Sequence, residues 1–365
     1  MYVIDLFCGG GGFSAGAHEA DATVVLAVDN NPKALAQHYH NWPKCKHVLM
    51  ELGGDVDAFV DDLRVFMASL DGPCHVHGSP PCQGFTSLNT KYNNVVGPDR
   101  HALGHEGDLN YTKTCLTYWY LEVIRRLAPT SWSMENVPYA RKFLEFRTPW
   151  IYTTPGVHIY PNVFGYECGA PTMRKRLIVT TADLSDRKSS DKPSNTRRLQ
   201  NPAVNFLPHL EDEFQLDRRR IAISTQTWNW SAHAYGGLVA RPINFSQGEG
   251  LRPITWNSYA VVARPGPVNL WIKRELGRPW TLARCITLQE RLKIMGFPDT
   301  YRLSSGRTMV CEFYDDLKVG SKRANSVEVK GLGKCSHERI IGNAVCPGLA
   351  KMIIERITIS DAIGE

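Results

Sequence analysis

The sequence predicts an α/β fold, a mostly parallel twisted sheet with helices, followed by a smaller irregular β-rich domain. Three observations predict it. The chain opens on a short β-rich run from Tyr2 to Phe7, a turn from Cys8 to Gly12, a helical pattern from Phe13 to about Ala20, and a second apolar run from Thr23 to Val28 that ends at Asp29. Further apolar strands at 74–78, 131–134 and 174–181 follow, with helical patterns between them, as a parallel sheet with crossover helices requires. From 202 to about 280 the segments become short, aromatic-rich and broken by Gly and Pro, which suits small strands.

Each element has its own signature. The glycine turn before a helix allows close approach to a ligand, and the helix N-terminus adds positive potential. Residues 59–70 read as a helix, and Cys74-His75-Val76-His77-Gly78 as a buried strand that delivers Pro80, Pro81 and Cys82 to a rigid turn. Asn, Gly, His and charge dominate 86–110, the composition of a long loop. Leu116, Tyr120, Val123 and Leu127 share one face of a helix from about Thr112 to Arg126. Ser131 to Met134 then form a strand with Glu135 and Asn136 at its end. Residues 284–296 read as helical, and a last helix at about 347–357 presents Leu349, Ile353 and Ile357. These readings divide the chain into 1–185, 186–334 and a returning segment, 335–365.

Composition narrows the function classes. With 365 residues and 43% hydrophobic content, the chain is long enough for two folded units. A formal net charge of +6 permits a polyanionic partner without demanding one. No cysteine is followed by a second at the short spacing of zinc sites, so reduced thiols and no metal are expected. No run approaches the length of a membrane span and no basic region precedes the first apolar run, so secretion and membrane insertion are poorly supported. A cytoplasmic monomer is the expectation, with nuclear access needed in a eukaryote.

Candidate chemistry gathers at the strand ends. The glycine run and Asp29, placed to accept hydrogen bonds from ribose hydroxyls, suit nicotinamide, flavin, nucleotide or adenosyl-methionine ligands, or no ligand at all. Cys82 reads as a buried structural thiol, as a metal ligand with His75 and His77, or as a nucleophile on a Pro-Pro turn. Glu135 needs a partner if buried, and Arg174 and Arg176 share one strand face from which a guanidinium could hold it. A purely structural ion pair explains that pattern equally well. Arg187, Lys188, Lys192, Arg197 and Arg198 read as phosphate contacts or as a solvated linker.

Taken in order, these segments resemble the DNA (cytosine-5)-methyltransferase family. Asp5-Leu6-Phe7-Cys8-Gly9-Gly10-Gly11-Gly12 is similar to its cofactor loop, Gly78-Ser79-Pro80-Pro81-Cys82-Gln83-Gly84-Phe85 to its nucleophile motif, and Glu135-Asn136-Val137 to its base-holding motif. Arg174 and Arg176 match its paired arginines. Arg284, Thr287, Glu290 and Phe297-Pro298-Asp299 match a later segment, and Gly342-Asn343-Ala344-Val345 its last motif. The resemblance implies a Rossmann-like methyltransferase fold with a target-recognition domain. It also implies methyl transfer from S-adenosyl-methionine to C5 of a flipped-out cytosine in double-stranded DNA, through a covalent Cys82–C6 intermediate.

By the same resemblance Cys82, Glu135, Arg176 and Arg174 are catalytic, Arg174 by supporting a loop or contacting phosphate. Phe7, Gly9, Gly11, Gly12, Asp29, Pro80, Asn343 and Val345 hold the cofactor. Asn136, Gln83, Thr86 and Ser87 meet the substrate, and the loop after Cys82 is a lid. A restriction endonuclease is implied as a functional counterpart. RNA cytosine-5 methylation and transfer from a modified sulfonium donor are the competing readings. Several residues depart from the family pattern: Thr172 for Gln, Asp29 for Glu, Ser79 for Gly and Cys346 for Pro. Glu51 and Asp55 compete as the acid that contacts adenine. Extra residues between Tyr301 and Ser336 are expected to extend the DNA-binding face.

Overall fold

The computed structural model describes residues 1–82, 85, 109–186, 263, 287–320 and 326–363, together with short strands between 219 and 285. Gln83, Thr86, Ser87, the 86–108 stretch and the five basic residues from Arg187 to Arg198 lie outside the described residues.

The first half alternates strand and helix: β1 (Tyr2–Leu6), α1 (Gly12–Glu19), β2 (Thr23–Asp29), α2 (Pro32–Asn41), β3 (Lys46–Leu49), α3 (Val56–Ala68), β4 (Cys74–Gly78), α4 (Leu109–Leu127) and β5 (Ser131–Asn136). Short helices α5 (Arg141–Arg147) and α6 (Trp150–Thr153) lead into β6 (His158–Phe164) and β7 (Lys175–Thr180). These strands form one seven-stranded sheet in the order β3-β2-β1-β4-β5-β7-β6. β1 to β5 pair in parallel, and β7 runs antiparallel to both of its neighbours. The order reverses between β1 and β4, so the ends of these strands form the crevice where α/β sheets bind ligands.

Both faces of the sheet are covered, so β1, β4 and β5 are buried almost throughout, their histidines, serines, acid and amide included. Phe13, Leu35, Met295 and Ile354 fill one core layer, and Leu26, Leu63, Tyr120 and Leu144 the other. The second-half strands β8 (Arg219–Ile221), β9 (Leu238–Pro242), β10 (Arg252–Pro253), β11 (Asn269–Arg274) and β12 (Thr281–Cys285) form a separate antiparallel sheet, the small β unit expected there.

Beyond β12 the chain returns as α7 (Leu288–Met295), the hairpin β13 (Thr308–Glu312) and β14 (Ser326–Lys330), α8 (Lys334–Asn343) and α9 (Pro347–Ile363). The helix predicted for 284–296 starts later, because Thr287 and Glu290 form a reciprocal cap. Glu290 N donates to Thr287 Oγ1 at 3.2 Å and Thr287 N to Glu290 Oε2 at 2.7 Å, leaving Arg284 in β12. Among the extra residues, those around Tyr314 cover an open sheet edge. Tyr314 exchanges backbone hydrogen bonds with His47 and Leu49 of β3 at 2.8 and 2.9 Å, and Phe313 and Cys311 are buried behind it. No helix among the described residues is long and apolar enough to cross a membrane.

Candidate active site

The ends of β1, β2, β4 and β5, the start of β7 and the α8–α9 turn meet around a cavity of about 1010 Å³. Phe7 leaves β1 with φ 57°, a left-handed value rare for a bulky residue. Its ring meets Trp119 edge-on at 6.3 Å, and Trp119 is fixed by donating to Gly54 O at 2.7 Å. A Cβ at Gly12 would lie 2.3 Å from Val345 O, so only glycine lets the C-terminal turn close onto the loop.

Asp29 holds the same loop from β2. Its Oδ2 accepts from Gly9 N and its Oδ1 from Asn31 N, both at 2.8 Å. Asp29 itself lines the cavity, and a carboxylate oxygen can accept more than one hydrogen bond. Burial pushes this carboxyl up, against the pull of those backbone amides. Of the two acids considered for adenine, Asp55 caps α3 by accepting from Ala58 N at 2.9 Å, and Glu51 is exposed. Leu52 lines the cavity from that segment instead.

β4 carries Pro80, Pro81 and half-buried Cys82 to the cavity wall. Ser79 donates to Phe7 O at 3.0 Å, so this departure from the family pattern ties the thiol turn to the glycine turn. Asn136 is wholly buried. Its Nδ2 donates to Pro80 O at 3.3 Å and its Oδ1 accepts from Val137 N at 2.8 Å. Asn136, expected to meet the substrate, lies behind the cavity wall and shapes the turn that carries Pro80.

Glu135 ends β5 and pairs with Arg176 Nε on β7, their side chains 10% and 15% exposed. Arg174 also lines the cavity. It is buried and donates to Gly342 O at 3.0 Å and Ala344 O at 3.1 Å, the loop-supporting one of the two roles expected of it. Burial lowers it to about 10, with Arg176 adding to the effect, and it remains a cation at neutral pH. The turn it holds places exposed Asn343 and buried Val345 on the cavity.

Among the described residues, Cys82, His75 and His77 do not bring their ligand atoms together as a metal site would need, although His77 Nε2 is buried without a hydrogen-bond partner. His75 lies 2.6 Å from Ser131 Oγ and 2.8 Å from Ser133 Oγ, and His77 Nδ1 is 2.8 Å from the same Ser133 Oγ. Phe13 stacks on His77 at 3.5 Å. Burial holds His75 down to about 3 and His77 well below its ordinary value, so both are neutral members of the core.

The sequence matches the family described as C-5 cytosine-specific DNA methylase over residues 1–316. The chain belongs to that family. It is 33% identical over 138 residues to the type II methyltransferase M.XorII of Xanthomonas oryzae, covering 37% of this chain and 27% of that protein. It is 24% identical over 369 residues to M1.HphI of Haemophilus parahaemolyticus, covering 97% of this chain and 86% of the relative. The crystal structure of S. pombe Dnmt2 methyltransferase shares the fold, with TM-score 0.58 at 13% identity, covering 100% of this chain and 99% of that one.

Within this family member, sequence reasoning missed a buttress under the cofactor loop. Tyr301 is buried, donates to Gly10 O at 2.7 Å, and packs on Phe297 and Trp42 with ring centroids 4.5 and 6.0 Å apart. Lys33, Ser336 and Arg339 also line the cavity and were not anticipated. A Tyr301→Phe variant keeps the ring and loses one buried hydrogen bond worth about 1 kcal/mol. The expected result is a rise of about fivefold in the cofactor KM with kcat unchanged, measured by steady-state kinetics.

Cys82 supplies a second expected result. Burial pushes its thiol above the ordinary value, Arg176 works against that rise, and Glu135 adds to it. Iodoacetamide labelling of Cys82, followed by peptide mass spectrometry, should accelerate with pH beyond the range of a free cysteine. Arg176→Met should move the midpoint further up, and Glu135→Gln should move it down.

Proposed function

We propose that this chain transfers a methyl group from S-adenosyl-methionine to C5 of cytosine in double-stranded DNA, through a transient bond between Cys82 Sγ and C6. The observation that carries this reading is the shared cavity: a thiol, a carboxylate–guanidinium pair and a glycine loop all face one space.

The cavity fits the donor. Gly9, at φ 54°, has nothing within 4 Å of where its Cβ would be, which leaves the loop open beside Phe7 and Asp29. Phe7, Asp29, Asn343 and Val345 would hold the nucleoside and amino-acid parts, and the bound donor supplies an electrophilic methyl. Cys82 acts as thiolate: its sulfur adds to C6, the C5=C6 electrons make C5 nucleophilic, and C5 is methylated. Loss of the C5 proton then restores the double bond as the C6–S bond breaks, returning the thiolate. Cysteine suits both halves, because its thiolate attacks well and leaves well.

Glu135 faces N3 and the exocyclic amine of the base, where its carboxyl stabilises the electron-rich ring. Arg176 holds that carboxyl and reaches O2. Arg174 keeps the 342–345 turn in place. The target carbon is inaccessible inside a duplex, so the base must swing out at a cost of a few kcal/mol. The family's description favours DNA over RNA as the substrate, and the type II relatives favour pairing with a restriction endonuclease.

Plasmid DNA and total RNA incubated separately with labelled donor test the substrate, followed by base-resolution mapping of modified cytosines. Label in DNA at C5 is the expected result, and incorporation into RNA alone would reject the substrate. A duplex carrying 5-fluorocytosine tests the covalent step. It should trap an adduct on Cys82, and turnover of ordinary cytosine without any adduct from the analogue would overturn it.

A further inference from the structure

Beneath the glycine loop, away from the catalytic thiol, lies a second group of ligand-bearing side chains. His38 on α2, Cys45 on the turn before β3 and His47 in β3 are exposed by 0%, 7% and 1%. Each offers a ligand atom within 4.8 Å of the other two. His38 Nδ1 faces His47 Nε2 at 2.8 Å. On its other side, His38 Nε2 lies 2.9 Å from Ser14 Oγ, which donates to Asp5 Oδ2 at 2.7 Å. His47 Nδ1 is buried with no hydrogen-bond partner.

One assignment of the ring hydrogens prepares the cluster for a cation. With its hydrogen on Nε2, His38 donates to Ser14, Ser14 donates to Asp5, and the Nδ1 lone pair is turned toward His47. With its hydrogen on Nδ1, His47 turns its Nε2 lone pair back toward His38. Two lone pairs then face one point with the Cys45 sulfur beside them. Without a cation the 2.8 Å contact is a hydrogen bond, with one of the two ring nitrogens carrying the hydrogen, and a bound cation would take that hydrogen's place. The chain from His38 through Ser14 to the buried Asp5 carboxyl is the outer-shell arrangement that orients a metal-bound imidazole.

We propose that His38, Cys45 and His47 form a binding site for a thiophilic d10 cation, Zn²⁺ or Cu⁺. Metal–nitrogen bonds of about 2.0 Å place neighbouring donors about 3.3 Å apart, so the imidazole pair needs to open by roughly half an ångström. The only proton released is that of the Cys45 thiol, which passes to solvent as the sulfur becomes a thiolate ligand. His38 keeps its ring hydrogen on Nε2, His47 moves its hydrogen from Nε2 to Nδ1, and both imidazoles stay neutral. Two nitrogens and a sulfur suit these soft or borderline cations over Mg²⁺ or Ca²⁺. The site also touches the cofactor loop, since a Cβ at Gly11 would meet Trp42 at 2.2 Å and His38 at 3.0 Å. Cation binding would therefore stiffen the floor of that loop.

The test uses the full chain, purified without a metal-affinity step. Metal per chain is measured by mass spectrometry, and the chelator-treated protein is then titrated with Zn²⁺ and with Cu⁺ against a chromophoric competitor. The wild type and Cys82→Ser should each take up one equivalent of at least one of the two. Cys45→Ser and His47→Gln should bind about 100-fold more weakly or worse. Binding by Cys45→Ser as tight as wild type overturns the site, as does its loss in Cys82→Ser. Should the variants fail to fold, Co²⁺ loaded into the wild type decides. A thiolate-to-metal charge-transfer band supports the proposal, and a spectrum without one overturns it.

Discussion

Cys82→Ala should reduce methyl transfer by at least about four orders of magnitude, while binding of cofactor and of duplex stays near the wild-type level. The size of the effect follows from the chemistry of the ring. C5 of cytosine is a poor nucleophile until a group adds at C6, and the cavity offers Cys82 as that group. The substitution removes one sulfur from a half-buried position on the wall and disturbs no described side-chain hydrogen bond of the loop. On the proposed function, cofactor affinity rests on the Phe7–Gly12 turn, held by the Asp29 side chain, and the 342–345 turn, held by the Arg174 side chain, and the substitution leaves both contacts in place. Isothermal titration with the donor and filter binding with a duplex measure the retained functions, and label incorporation measures the lost one. Cys82→Ser should be nearly as inactive, because an alcohol at that position remains protonated. Residual turnover near wild type in either variant would remove Cys82 from the reaction.

The site was legible in the sequence wherever a strand end is punctuated by residues with restricted backbones. Gly9 to Gly12 mark a turn that needs positive φ and close approach, and Pro80-Pro81 mark a rigid exit from β4, so both loops announce themselves locally. The strand 74–78 matches the structure at both ends for the same reason. The start of helix α2 went unread, although Asn31-Pro32 is an N-cap followed by proline and the side chain of Asn31 accepts from Lys33 N at 3.0 Å. The cap at Thr287 and Glu290 was visible as well, and it would have placed β12 and α7 correctly. β6 had no such mark, since its outer position leaves most of its residues partly exposed and breaks the apolar run. Contacts made across the fold left no local trace. Tyr301 reaches Gly10 across 291 positions, and His38 meets His47 through the pairing of a helix with a strand. Periodicity places a residue on a face, but only packing decides which atom it finds there.

Arg174 and Arg176 stand two residues apart in one motif, yet their substitution should separate cofactor binding from chemistry. In Arg174→Met the apolar stem remains and the guanidinium goes, leaving Gly342 O and Ala344 O buried without these donors. Each carbonyl left unsatisfied costs about 1 to 3 kcal/mol, so the turn carrying Asn343 and Val345 should shift to find new partners. A loss of about 3 kcal/mol in holding that turn corresponds to a rise of about 100-fold in the cofactor KM. The maximal rate at saturating cofactor should stay within the wild-type range. Arg176→Met acts on the other side of the cavity: it frees Glu135 from its ion pair, so the carboxyl that faces the base loses its orientation. Here kcat should fall by about 100-fold or more with the cofactor KM little changed, since Arg176 makes no described bond to the 342–345 turn. Steady-state kinetics at varied donor concentration resolve the two patterns, and thermal melting of both variants shows whether the fold persists. A fall in kcat without any change in KM for Arg174→Met would put that arginine back among the groups that touch the base.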